Sequence, residues 1–217
     1  MNKIRASILD LDGVMIDSEP ISLRAWQELL SPYGRSLTED DYQLLIGHDA
    51  DTAARFIQGK MNVGLTVEDI INQHEQLRMD IIKDEAEPIE GLFDLLAAFH
   101  SRKLLTGVAS NSRSTYVHYT LDTIGLGETF NCVISSDQVD NGKPAPDLYL
   151  AAARCLEIEP AMCLAIEDSS VGLESALAAG MHCVVVTNGE NRYGDFSGAY
   201  SIYNSLMEIT EDVDRII

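Results

Sequence analysis

Short apolar runs recur along the chain at Ile4 to Leu9, Leu104 to Ala109, Cys132 to Ser135, Cys163 to Ile166 and Cys183 to Val186. Each is bounded by turn residues and too short for a helix, which predicts strands. The stretches between the later runs carry helical periodicity. Gly125 follows the pattern ending at Ile124, and Gly180 follows the alanine-rich pattern ending at Ala179, both in the place where a helix stops. Strands alternating with helices predict an α/β fold, a parallel sheet with helices on both faces.

Almost a hundred residues separate the first run from the second, far more than one crossover helix requires. Their pattern is helical. Thr38-Glu39-Asp40-Asp41 and Thr66-Val67-Glu68-Asp69 have the form of capping boxes with Asp at the third helical position. Residues 18–84 are therefore expected to be an inserted helical module, a cap, on a core made of residues 1–17 and 85–217. From Ser205 onward a short surface helix is expected.

Ligands of an open parallel sheet bind beyond the carboxyl ends of its strands. Asp10 and Asp12 follow the first run, Ser110 the second, and Glu167 and Asp168 the fourth, while Lys143 lies on the loop after the third. Two carboxylates one residue apart on a turn point in different directions and can divide labour. Asp10 can attack phosphorus, splitting one difficult displacement into two easier ones, and Asp12 can protonate the leaving oxygen and later take a proton from water. Capping of the next turn is the competing reading of an isolated Asp-x-Asp. A calcium loop is not, because the twelfth position of such a loop would be Ile21 rather than a glutamate.

Glu167 and Asp168 add hard oxygen ligands that suit Mg2+ together with Asp10. The alternative for this segment is that Ser169 or Ser170 caps a helix. Ser110 offers a hydroxyl and backbone donors for a phosphoryl oxygen, and Lys143, between Gly142 and Pro144, offers a point charge on a stiff loop.

The formal charge of −20 excludes a nucleic-acid partner, since no Lys/Arg cluster breaks the acidic pattern. An anionic substrate on so acidic a chain requires local compensation by a metal and a few donors. At 217 residues and 46% hydrophobic content the chain supports one core plus a modest module. No apolar stretch is long enough to span a membrane and no signal peptide opens the chain, so a cytoplasmic protein is expected. Cys132, Cys155, Cys163 and Cys183 show no CxxC pairing and are expected to be reduced, buried thiols. The histidines show no metal-ligand spacing, and Trp26 sits on a helical apolar stripe with Ala25, Leu29 and Leu30, which predicts packing.

Asp10-Leu11-Asp12-Gly13-Val14, Ser110-Asn111, Gly142-Lys143-Pro144 and Ile166-Glu167-Asp168-Ser169 resemble, in order and spacing, the four motifs of the haloacid dehalogenase superfamily. Asp17-Ser18-Glu19-Pro20 and the run from Ser170-Val171-Gly172 to Gly180-Met181 resemble its branch of beta-phosphoglucomutases and sugar-phosphate phosphatases. The resemblance implies a Rossmann-like core with an inserted α-helical cap and a Mg2+ cofactor. It implies that Asp10 is nucleophile and metal ligand, and that Asp12 is the acid/base and lends a carbonyl to the metal. Asp168 completes the protein ligation, Glu167 holds a metal-bound water, and Ser110, Asn111 and Lys143 bind phosphate.

Dehalogenases and phosphonatases of this superfamily lack the second aspartate, so Asp12 argues against both. The mutases carry a cap histidine at what is here Ser22 and a cap arginine near Ala50, and neither is present. Hydrolysis of a small phosphorylated metabolite, a sugar or polyol phosphate, is thus expected, with a sugar phosphomutase as the alternative. A phospho-aspartate receiver module is the remote one, being about half this length and without the insertion. Glu19, Gly47 and His48 are candidates for substrate choice on the cap, and a monomer or weak homo-oligomer is expected.

Overall fold

A computed structural model of the chain describes residues 3–45, 50–188 and 194–217. Six strands form one sheet: β1 (Ala6–Leu9), β2 (Leu105–Ser110), β3 (Cys132–Ser135), β4 (Cys163–Glu167), β5 (His182–Val186) and β6 (Ser201–Tyr203), in the order β3-β2-β1-β4-β5-β6. Every neighbouring pair is parallel. The apolar runs are continuous because the sheet is covered on both faces. Successive side chains go to opposite layers: Leu9, Ile166 and Val184 join one buried cluster, and Ile8, Ala165 and Val185 the other.

Four of the described helices in the long first connection form the inserted layer: α1 (Glu19–Leu30), α2 (Glu39–Gln43), α3 (Ala50–Met61) and α4 (Val67–Glu85). They enclose a third cluster of their own, built on Trp26, Leu30, Tyr42, Ala54, Ile57, Met61 and Ile70. Ile21 and Ala25 of α1, with Ile81 and Ile82 of α4, instead join the sheet's core. The helical layer is therefore anchored by the first turns of α1 and the last of α4. Both expected capping boxes are formed, at Thr38/Asp41 and Thr66/Asp69.

The remaining helices are α5 (Leu92–Ser101), α6 (Ser114–Thr123), α7 (Asp147–Cys155), α8 (Ser170–Ala178), α9 (Leu206–Glu211) and α10 (Val213–Ile216). Gly125 and Gly180 follow helix ends with φ of 78° and 80°, as their positions predicted.

Three expectations need correction. The strand β6 has no counterpart among the apolar runs, because Ser201-Ile202-Tyr203 is short and half polar. The chain end is not a surface helix but two helices whose Leu206, Ile209, Val213 and Ile216 are buried in the sheet's core. Cys132 and Cys155 are joined in a disulfide between β3 and α7, with Cys155 on the surface, whereas Cys163 and Cys183 are free and buried as expected.

At the start of α4, the Thr66 hydroxyl accepts from Asp69 N–H at 3.1 Å and the Asp69 carboxylate accepts from Thr66 N–H at 3.3 Å. Thr66→Ala should lower the unfolding free energy by about 1 kcal/mol, and Thr66→Ser should retain most of it. Denaturant titration checks this, and equal losses in the two variants would contradict it.

Candidate active site

The order of strands reverses between β1 and β4, and the site lies at that switch point. Asp10 is the first residue past β1, with its N–H bonded to the Ile166 carbonyl at 3.0 Å, so the sheet ladder fixes where the carboxylate emerges. Gly13, at φ 80°, turns the chain immediately afterward and leaves Asp12 on a different side from Asp10. Asp168 and Glu167 stand at the end of the adjacent β4.

Lys143 reaches between these strand ends. Its Nζ is 2.9 Å from Asp10 Oδ1 and 2.6 Å from Glu167 Oε1, with 4% of the side chain exposed. Asn111 holds the lysine's backbone, its Oδ1 accepting from Lys143 N–H at 2.7 Å. Glu167 also accepts from Tyr149 Oη at 2.6 Å and Ser169 Oγ at 3.3 Å. A methyl group on Gly172 would run into the Glu167 carboxylate, so this glycine lets α8 pass over it. Burial opposes the charge on Lys143, but Asp10 and Glu167 outweigh it and hold the ammonium above its ordinary pKa.

Burial pushes the Asp10 carboxyl up to about 7, against the pull of Lys143 and with the help of Glu167 and Asp12. Asp12 differs. Burial raises its pKa too, but Arg78, Ser18, Ser112 and Tyr116 together bring it below the usual carboxylate value. Its Oδ1 accepts from Arg78 Nη2 at 2.7 Å and Tyr116 Oη at 3.2 Å, and its Oδ2 from Ser112 Oγ at 2.8 Å.

Asp10, Glu167 and Asp168 offer carboxylate oxygens that all lie within 4.8 Å of one another. Buried carboxylates so close repel one another unless cations stand among them, and a set of hard oxygens fits a divalent ion such as Mg2+.

A cavity of about 430 Å³ opens over these groups. Asp10, Asp12, Asn111, Lys143, Asp168 and Glu19 of the expected site line it. Ser110 and Glu167 lie beneath, both fully buried, and the Ser110 hydroxyl accepts from Ser112 N–H at 3.1 Å. Gly47 and His48 fall outside the described residues.

The far wall comes from the helical layer. Ile71, His74, Glu75 and Arg78 face the cavity from α4, and Glu19, Ser22 and Trp26 from α1. Trp26 packs within its layer as expected, yet it also borders the cavity, its ring stacked on His74 at 3.6 Å. Burial lowers His74 to about 3, assisted by Arg78, so the neutral ring donates Nε2–H to the Ser22 carbonyl at 3.3 Å. Arg78, Ser112 and Tyr116 escaped the sequence reading. A signal existed for Arg78, since positions 71, 74, 75 and 78 form one helical stripe that mixes apolar and charged residues.

Residues 7–186 match the family of haloacid dehalogenase-like hydrolases. Fructose-1-phosphate phosphatase YqaB of Escherichia coli is 30% identical, over 82% of this chain and 94% of its own. YhcW of Bacillus subtilis is 34% identical, over 85% and 84%. The crystal structure of CbbY from Rhodobacter sphaeroides with phosphate superposes with a TM-score of 0.87 at 25% identity, covering 95% of this chain and 96% of that one. The chain belongs to the haloacid dehalogenase-like hydrolase family. With phosphatases among its relatives, the expectation of a phosphoric monoester hydrolase of this type is borne out. So is the fold, a parallel α/β sheet with a helical insertion. Among the described residues no helix is long and apolar enough to cross a membrane.

The raised pKa of Asp10 has a sign that can be tested. The folded carboxyl binds a proton that the unfolded chain has already lost, so its contribution falls as pH rises from about 4 toward 7. In chelator, Asp10→Asn should therefore gain stability over the unsubstituted protein as pH rises through that window, and the two should converge below it. Urea titrations across pH measure the difference; a gap independent of pH would contradict the assignment.

Proposed function

We propose that this protein is a Mg2+-dependent phosphatase that hydrolyses a small sugar or polyol phosphate through an aspartyl-phosphate on Asp10. The observation that carries this reading is the buried Asp10 carboxylate at the cavity floor, 2.9 Å from Lys143. Asp12 lies on the same floor under separate control. Residues 18–84 would be the cap and residues 1–17 with 85–217 the catalytic core, since the helices between Glu19 and Glu85 enclose their own cluster over the strand ends.

Asp10, Asp168 and the Asp12 carbonyl would hold the metal, with Glu167 behind it. Such an ion supplies positive charge that offsets the repulsion between an anionic nucleophile and an anionic substrate. Lys143 clamps a phosphoryl oxygen, assisted by Asn111 and the backbone at Ser110. Asp10 attacks phosphorus as Asp12 gives its proton to the leaving oxygen; water then attacks the acyl phosphate as Asp12 takes a proton back. Closure of the cap would exclude bulk water in the first half.

Ser22 and Ala50 favour hydrolysis over a mutase reaction, because both border the cavity where a mutase has a histidine and an arginine to rebind a bisphosphate. The size of the cavity suits a small metabolite, and the Escherichia coli relative is named for fructose 1-phosphate. The charge of −20 supports a diffusible partner rather than nucleic acid or an anionic membrane, and we place the enzyme in the cytoplasm as a monomer or weak homo-oligomer.

Phosphate release from fructose 1-phosphate should require Mg2+ and fall at least about a thousandfold in Asp10→Asn. Retained turnover in that variant would refute the nucleophile. Incubation with glucose 1-phosphate and its bisphosphate should yield free phosphate; isomer without comparable phosphate would favour the mutase.

A further inference from the structure

Arg78 is the one described cap-helix side chain that bonds to Asp12. Its Nη2 is 2.7 Å from Asp12 Oδ1 and 2.5 Å from Tyr116 Oη, its Nη1 is 3.5 Å from Ser112 Oγ, and its guanidinium carbon lies 3.7 Å over the Tyr116 ring. These partners come from three separate places in the core: the turn after β1, the loop after β2, and α6. The donor itself sits on α4, in the inserted layer.

We propose that Arg78 is a positioning residue that aims the Asp12 carboxylate, so that the proton-transfer group is set only while α4 rests on the core. The inference rests on the acid/base role of Asp12 put forward above. In the first half-reaction the Asp10 oxygen–phosphorus bond forms, the phosphorus–leaving-oxygen bond breaks, and the Asp12 proton goes to the leaving oxygen. In the second the water oxygen–phosphorus bond forms, the acyl phosphate breaks, and a water proton returns to Asp12. Both transfers need the carboxylate held within hydrogen-bond reach of an oxygen on phosphorus.

Arg78, Ser112 and Tyr116 hold that carboxylate from different sides, with Ser18 at the foot of α1 beside them, and Arg78 is the partner that α4 brings. Without it, Oδ1 loses its 2.7 Å bond and is left with the longer one from Tyr116 at 3.2 Å, and the Tyr116 hydroxyl loses the donor that Arg78 supplies. The planar fork matters because one guanidinium reaches Asp12, Ser112 and Tyr116 together while stacking on the phenol ring, which an ammonium cannot do. Mere attachment of the cap does not call for such a contact. Arg113 already joins the rim to α4 through Glu68 and Asn72, at a solvent-exposed site. Arg78 is instead 14% exposed, a position where a charge is retained at a desolvation cost.

The test compares Arg78→Gln, Arg78→Lys and, as a cap-surface control, Arg24→Gln on two substrates. An alkyl phosphate needs its leaving oxygen protonated, whereas p-nitrophenyl phosphate does not. Arg78→Gln should lower kcat for the alkyl ester about 100-fold with KM within about threefold. The single-turnover burst of nitrophenol should fall less than about tenfold, because that step bypasses the Asp12 proton. Arg78→Lys should recover part of the alkyl-ester loss, and Arg24→Gln should match the unsubstituted enzyme.

A rise in KM with kcat retained would make Arg78 a substrate contact, and equal losses on both esters or a gain in activity would equally overturn the proposal. Should Arg78→Gln not fold, Tyr116→Phe removes one donor to Asp12 and one partner of Arg78, and must show the same ester dependence. If Asp10→Asn is dead while Arg78→Gln alters only KM, this inference alone fails. If Asp10→Asn turns over normally, the mechanism beneath it fails as well.

Discussion

Lys143 Nζ stands between two buried carboxylates, 2.9 Å from Asp10 and 2.6 Å from Glu167, and the rest of the site is arranged around that ammonium. An uncompensated charge at such burial would be strongly destabilising, and removing the lysine would leave Asp10 and Glu167 facing each other at the ends of adjacent strands. Glu167 in turn needs Tyr149, Ser169 and the absence of a side chain at Gly172. Asn111 holds the lysine's own peptide. A charge pair that would be a liability elsewhere in a fold thus becomes a fixed, electropositive point beside the nucleophile, in a chain whose overall charge is −20.

The two aspartates on one turn occupy different electrostatic worlds although a single residue separates them. Asp10 is raised toward neutrality by burial, whereas Asp12 is drawn the other way by Arg78 and three hydroxyl donors. In the proposed mechanism a metal beside Asp10 must draw that carboxyl back to its ionised form for attack, and a bound phosphate must raise Asp12 so that it holds a proton to give. The sheet supplies the first environment through β1, β4 and the Lys143 loop. The helical layer completes the second, so the division of labour depends on both parts of the chain.

Much of this was legible in the sequence because it depends on backbone position. Strands buried on both faces leave uninterrupted apolar runs, and residues just past them must lie at the carboxyl edge of the sheet, which located Asp10, Asp12, Ser110, Lys143, Glu167 and Asp168. Arg78 was hidden because it sits mid-helix among residues that are mostly polar for solvent, and only the stripe of Ile71, His74, Glu75 and Arg78 distinguishes a cavity-facing side. Ser112 and Tyr116 act through side-chain direction, which spacing does not encode. Trp26 shows that packing and lining are not exclusive for a large ring. The short polar β6 and the buried chain end were misread because three residues carry too little periodicity, and because amphipathic helices look alike whether their apolar face meets a core or a partner.

In the proposed mechanism the phosphoryl group passes through Asp10. Mixing enzyme with a substoichiometric, radiolabelled sugar phosphate and quenching in acid within the first turnover addresses it directly. The label should appear transiently on the peptide containing Asp10, in an acid-stable and base-labile linkage, and should decay at the rate at which free phosphate forms. Free phosphate forming at full rate with no label on the protein, or with the label on another residue, would rule out Asp10 as the nucleophile.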